Sequence, residues 1–214
     1  MLLARLEPLL VDDSASARDA WVESIDVLDG RSEYRLREAL SDEGVTAGER
    51  LRHGDVGVVI VEGSAAALQF ARYLREDTAH LPVALERGRT TVGPLVVPGE
   101  TPCLTCRDEH DRDRDPAWPR LHAQLIGRPA GPVSAARIAE AATLVARMLR
   151  GSEPDGTLVE VSADGRRERR SVTFHEECRC RERSFLSLPG TSTALSPLAP
   201  PTATTTRKEY ARPA

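Results

Sequence analysis

The stretch Asp55-Val-Gly-Val-Val-Ile-Val61, bounded by His53-Gly54 before it and Glu62-Gly63 after it, decides the fold class of this chain. It is a short, unbroken apolar run, and a strand that alternates apolar with polar residues would not read this way. A run of this kind suits a strand covered on both faces, as in a parallel sheet. Ser64 then opens a helix through about Glu76, with Ala67, Leu68, Ala71, Tyr73 and Leu74 apolar. Leu81-Pro-Val-Ala-Leu-Glu86 is the next strand, so strand, helix and strand follow one another within about forty residues, the pattern of a βαβ unit. After a turn at Arg87-Gly88, Thr91-Val-Gly-Pro-Leu-Val-Val97 reads as a third strand, closed by Pro98-Gly99. The expected class is α/β.

Outward from this centre the signals vary in strength. Upstream, Ser32 to Glu43 reads as a helix with Ser32 as cap, Tyr34, Leu36, Ala39 and Leu40 on one side, and Gly44 as its end. The first thirty residues are weakly patterned, from the apolar Leu2 to Val11 through an acidic Ser/Ala-rich stretch to Trp21-Val-Glu-Ser-Ile25. Downstream, Val133 to Arg150 is the clearest helix. Ile138, Ala141, Ala142, Val145 and Leu149 fall at helical spacing, and Gly151 stands just past the end. Its alanines let a neighbouring element approach closely. Thr157 to Val161 and Arg170 to Phe174 form an expected hairpin across Ala163-Asp-Gly165 that delivers His175-Glu-Glu-Cys-Arg-Cys180. From Pro189 to Ala214 the chain is Pro, Thr, Ser and Ala with little to bury, the composition of a disordered tail. The expected division is residues 1–50 as a weakly defined N-terminal segment, 51–188 as the folded domain, and 189–214 as the tail.

Composition excludes several functions. The net charge of -4 argues against non-specific nucleic-acid binding, which needs a basic face. Lys208, in the tail, is the only lysine, so Schiff-base and P-loop lysine chemistry are excluded from the folded region. The N-terminus carries Arg5, Glu7 and Pro8 among its leucines and lacks a signal-peptide pattern, and no run reaches the length of a membrane span. The expected location is the cytoplasm.

The four cysteines form two short chelates, Cys103-x-x-Cys106 and Cys178-x-Cys180. Two thiolates two or three residues apart can grip one ion, and two such grips complete a tetrahedral all-cysteine site. Cys178 and Cys180 point the same way along an extended segment because the side-chain period is two. A structural zinc held by Cys103, Cys106, Cys178 and Cys180 is the leading reading. An iron–sulfur cluster has the same ligand set, and a redox Cys-x-x-Cys would leave the second pair unexplained. His110 and His175 lie near the two pairs and could replace a cysteine. Beside a complete set, an accessory or exposed histidine is the plainer reading. The run Arg107 to Asp115 is expected to be a solvated, self-paired loop rather than an acid–base or divalent-metal site. Asp115-Pro-Ala-Trp-Pro119 holds a proline-bracketed tryptophan, read as local packing rather than a partner anchor. No catalytic or nucleotide-binding residue is assigned.

Gly93-Pro-Leu-Val-Val-Pro-Gly99, Thr101-Pro-Cys-Leu-Thr-Cys106, Arg112-Asp-Arg-Asp-Pro-Ala-Trp-Pro-Arg-Leu121, the preceding His80-Leu-Pro-Val-Ala-Leu85 and the closing His175-x-x-Cys-x-Cys180 occur in this order. Over roughly residues 55–185 the chain resembles the ThiF-type, ubiquitin-activating-enzyme-like proteins of bacterial azole-peptide clusters. These are the cyclodehydratase-domain or leader-peptide-binding proteins of thiazole/oxazole-modified microcin pathways. The resemblance implies a Rossmann-related fold and a structural zinc on the four cysteines. It also implies a YcaO-type cyclodehydratase partner, which uses ATP to activate backbone amides, and recruitment of a precursor's leader peptide. Homodimers are common in the family. The chain departs from the pattern in lacking the glycine-rich βα turn that cradles nucleotide phosphates. The first half of the nucleotide-binding fold is therefore expected to be missing, and the chain is expected to bind no ATP alone. The leading expectation is a non-catalytic scaffold. The alternatives are a divergent adenylating or sulfur-transfer enzyme completed by a partner chain, and a degenerate fragment without activity.

Overall fold

A computed structural model describes residues 17–25, 31–48 and 54–182. The expectations for Leu2 to Val11 and for the tail 189–214 lie outside the described residues. Seven strands form one sheet in the order β2-β1-β3-β4-β5-β6-β7: β1 (Ala20–Ile25), β2 (Ala47–Gly48), β3 (Val56–Glu62), β4 (His80–Glu86), β5 (Arg89–Val92), β6 (Thr157–Ser162) and β7 (Arg167–Ser171). The sheet has two halves. Strands β2, β1, β3 and β4 are parallel, and from β4 through β7 each neighbour is antiparallel.

Every residue of β3 is buried, as its unbroken apolar run requires at the centre of a two-sided sheet. Val56, Val58 and Ile60 join one core with Leu36 and Leu40 of α1 (Arg31–Asp42) and with Ile138, Ala141, Val145 and Leu149. The latter four lie on a long helix, Ala135–Leu149, capped by the Ser134 hydroxyl, which accepts from Arg137 N–H. Val59 and Val61 point to the other face and join Trp21, Phe70, Tyr73 and Leu104. The period of two thus splits β3 between two cores.

The fold departs locally from the sequence reading, and the hairpin strand expected over Arg170 to Phe174 runs instead over Arg167–Ser171. The segment expected as one helix from Ser64 to Glu76 is a 3-10 turn, Ala67–Phe70, followed by the short helix α2 (Ala71–Arg75). The strand expected from Thr91 to Val97 stops at Val92. Gly93 turns to φ +97, where a Cβ would lie 2.5 Å from Thr157 O, and the Gly93–Pro94 bond is cis. Val96 returns to pair with His80 as an isolated bridge. The charged run expected as a loop is instead α3 (Leu104–Arg114), started at Cys103 and laced by Arg112–Glu109 and Arg114–Asp111 pairs one turn apart. The proline-bracketed tryptophan opens α4 (Trp118–Ala123), with Pro119 in its first turn, where a missing N–H costs nothing. The long helix is accordingly α5. Strand β1, weakly patterned in the sequence, lies beside β3 in parallel register, with Trp21 opposite Gly57.

Candidate metal centre

The cis Gly93–Pro94 turn and the Val96 bridge carry the chain back over β4, and Val97 N–H donates to Thr101 Oγ1 at 2.7 Å. That bond places Pro102 and Cys103 at the start of α3. Cys103 caps α3 in an extended conformation, and Cys106 follows within its first turn. A helix N-terminus presents free N–H groups and a positive dipole end, which favours thiolate over thiol. The second chelate arrives from β7 through Val172, whose N–H donates to Gly156 O at 2.8 Å, and turns at His175, whose carbonyl accepts from Cys178 N–H at 3.1 Å.

The four sulfurs lie within 4.8 Å of one another. Cys103 Sγ is 3.6 Å from Cys178 Sγ, and Cys106 Sγ is 3.6 Å from Cys180 Sγ. Each short approach therefore joins one chelate to the other. A tetrahedral ion with metal–sulfur bonds of about 2.3 Å sets its ligands about 3.8 Å apart, so the donor set and its spacing fit one four-coordinate ion. A polynuclear iron–sulfur cluster, several atoms wide, needs its thiolates farther apart. Cys103, Cys106 and Cys180 are buried and Cys178 is half-buried, against Val96, Leu158, Val172, Leu74 and Phe174. The shell is largely apolar, and four cysteines around one ion leave no position for a substrate. The contact with Cys103 holds the Cys106 thiol below the usual range, while contacts with Cys103 and Cys106 push Cys178 and Cys180 up. Four thiols packed this closely do not all ionise without a cation among them.

His110 and His175 are not in the sulfur cluster. Their rings meet edge to face at 4.8 Å. His110 Nε2–H donates to Thr173 O at 3.1 Å, and His175 Nε2 bonds Asp113 Oδ2 at 2.9 Å, which raises the His175 pKa. His175 Nδ1 accepts from Glu177 N–H, and Arg112 pairs with Glu177 at 2.9 Å. The outer face of α3 is thus latched to the segment carrying Cys178 and Cys180. The charged residues of α3 are the latch, and their sequence gave no sign of it because both partners read as surface.

His80 lies beside the centre, stacked on Tyr73 at 5.0 Å and Phe70 at 5.6 Å, with Nδ1–H donating to Thr78 O. Burial pushes its pKa down to about 4, so it is neutral at pH 7.

Two cavities also lie against the sheet. One of about 370 Å³ sits where the strand order reverses between β1 and β3, lined by Arg31, Ser32, Arg35, Glu62 and Val133. This crevice is where doubly wound sheets bind ligands. The connection before it, Asp26 to Gly30, lies outside the described residues and contains a single glycine in its sequence. The other cavity, about 360 Å³, lies between the antiparallel strands and α3–α4, lined by Glu86, Arg89, Asp111, Trp118, Glu160 and Arg170. Its charges pair among themselves: Arg89 with Glu86 and Glu160, and Arg170 with Asp111. Neither cavity was legible in the sequence, because its residues come from separate elements. Among the described residues, no helix is long and apolar enough to cross a membrane.

No protein-family model matches the sequence, and no curated protein sequence matches it. The fold is similar to solved structures. A heterocyclase in complex with substrate and cofactor superposes with a TM-score of 0.61 at 17% identity, over 78% of this chain and 26% of that one. The heterocyclase TruD gives a TM-score of 0.57 at 18% identity, over 81% of this chain and 29% of that one. A component of the E. coli microcin synthetase McbBCD complex gives 0.60 at 14% identity, over 84% of this chain and 78% of that one. The chain therefore spans under a third of the length of the two heterocyclases.

Proposed function

We propose that this chain is a ThiF-type, non-catalytic accessory protein of azole-peptide biosynthesis. It docks a YcaO-type cyclodehydratase and assists recruitment of the precursor's leader peptide for azoline or azole formation. The observation that carries this reading is the match in both directions, 84% and 78%, to a component of a microcin synthetase complex by a chain that also gathers four cysteines. A further microcin synthetase match, in a complex described with pro-MccB17 bound, supports a peptide substrate for the assembly. Cys103, Cys106, Cys178 and Cys180 hold one structural zinc in this reading. When bound, the ion ties α3 to the C-terminal segment and takes no part in chemistry.

The non-catalytic part of the reading is supported by the chemistry of the sites. A closed sulfur shell offers no open coordination position. The crevice at the strand-order reversal follows a connection without the Gly-x-Gly-x-x-Gly pattern whose N–H groups hold phosphates. Isothermal titration of the purified chain with ATP should show no micromolar binding, and a micromolar Kd would overturn this part.

Co-purification with a YcaO-type cyclodehydratase, together with cyclisation assays with and without this chain, tests the whole reading. The expected result is a complex and a cyclisation rate that falls when the chain is omitted. Two proteins that never associate, with cyclisation at full rate in the absence of this chain, would end it.

A further inference from the structure

Among the described residues, one edge of the sheet is β2 (Ala47–Gly48). The other is β7, five residues long, with four of the five exposed. The pairing register fixes which backbone groups of β7 are open among the described residues. Ser162 N–H donates to Arg166 O, and Val172 N–H donates to Gly156 O, so residues 166, 168, 170 and 172 bond to β6. Bonded and non-bonded pairs alternate along an antiparallel ladder. The N–H and C=O of Arg167, Arg169 and Ser171 therefore point away from the sheet. The open row ends at Thr173, whose carbonyl is taken by His110.

The charge along this edge is concentrated. Arg166-Arg-Glu-Arg-Arg170 places four arginines in five residues of a chain whose net charge is -4. The side chains of Arg166, Arg167 and Arg169 are 74%, 58% and 57% exposed. Among the described residues, Arg166 reaches an acid only at 4.0 Å, to Glu168. Arg169 shares the buried Glu153 carboxylate with Arg147, both at 2.9 Å, so one anion serves two guanidiniums. Arg167 pairs with Glu140 of α5 at 2.7 Å.

We propose that the β7 edge is a docking site for an acidic polypeptide segment, which adds to the sheet as an eighth strand through the open N–H and C=O groups of Arg167, Arg169 and Ser171. Main-chain hydrogen bonds at an open edge supply affinity in this mode, and side chains supply selectivity. Charge selects among the occupants. A second copy of this chain, pairing its own β7 antiparallel across a two-fold axis, would set arginine against arginine, and like charges directly opposite are destabilising. A glutamate- or aspartate-bearing strand instead meets Arg166, Arg167 and Arg169 on both faces of the extended sheet. The open groups are not those of the sulfur ligands, and the proposal does not depend on the heterocyclase reading.

The test is fluorescence anisotropy with the full chain and a fluorescein-labelled peptide of alternating glutamate and threonine long enough to span β7. Three comparisons accompany it: the same peptide N-methylated at alternate backbone nitrogens in either frame, a lysine–threonine peptide, and the variants Arg166→Glu and Arg167→Gln with circular dichroism as the fold check. The expected result is saturable binding of the acidic peptide that weakens with added salt. It should fall about tenfold for Arg166→Glu and for one N-methylation frame, with the basic peptide not bound. The N-methylated probes leave the protein untouched, so they decide the matter even if a variant misfolds. No binding of the acidic peptide, or equal binding of both N-methylated frames and the parent, overturns the proposal. Sedimentation showing a dimer that Arg167→Gln strengthens would assign the edge to a second copy instead, and also overturns it.

Discussion

At the scale of single residues, the four cysteines and His80 carry the strongest expectations. Cys178→Ser leaves three sulfurs around the site and an apolar shell that cannot hydrate an orphaned charge. Metal analysis should find about one zinc per wild-type chain and far less in the variant, with a lower unfolding midpoint. A metal-free wild-type chain of unchanged stability would refute the zinc assignment. His80 gives a pH signature. Its pKa is near 4 in the folded chain and 6.5 when exposed, so below pH 6.5 the unfolded state takes up a proton that the folded state refuses. Stability is therefore whole above pH 6.5 and falls as the pH drops toward 4, by roughly 3 kcal/mol for a shift of this size. His122, also lowered by burial, adds to the fall in the same direction. Urea melts at pH 7 and pH 4.5 should show a smaller difference for His80→Leu than for the wild type. Equal pH slopes would remove the assignment.

At the scale of elements, β1 and β3 are fitted to each other through one close approach. A Cβ built on Gly57 would lie 2.5 Å from the Trp21 ring, so the glycine is the space into which the indole packs. Gly57→Val should destabilise the fold by about 1–3 kcal/mol through overpacking. Combined with Trp21→Ala, the losses should not add, and a double-mutant cycle by chemical denaturation reads the coupling. Simple additivity would show that the two residues do not share that space. Helix α5 offers a plainer case. Its alanine-rich face lies against α1, where Leu40 is fully buried, so Leu40→Ala should cost about 2–5 kcal/mol by thermal or chemical melts.

Elements also show why some of the fold was legible and some was not. Strand β3 declared itself because both its faces are buried, which makes every residue apolar. Helix α5 declared itself because one face is buried and Ser134 and Gly151 mark its ends. Helix α3 hid because its outer face is almost entirely charged, and its stability comes from ion pairs a turn apart and from the sulfur cluster at its start. Strand β1 hid because Trp21-Val-Glu-Ser-Ile25 mixes polar and apolar residues, Glu23 pairing with Arg72 of α2.

At the scale of the whole molecule, the cysteine centre joins residues 74 and 75 positions apart. Closing a long loop removes much conformational freedom from the unfolded chain, so the clip contributes most to the C-terminal part that it ties down. Removal of the proposed ion with a chelator should raise amide hydrogen exchange at residues 172–180 and at the start of α3. The core of β3, α1 and α5 should stay protected, because it packs without the cysteines. Exchange rising uniformly over the chain, or not at all, would contradict this division.

By itself, the sequence determined that the chain builds an α/β core around a buried parallel strand. It also placed two cysteine chelates at spacings that suit one ion, since side-chain period and ligand spacing are local properties. The tertiary structure alone decided that the sulfurs meet and that His110 and His175 latch the segments without joining the cluster. It also decided that the arginines of Arg166–Arg170 lie along an open sheet edge. These outcomes depend on which distant elements become neighbours, and that follows from shape and packing over the whole chain rather than from any short run of residues.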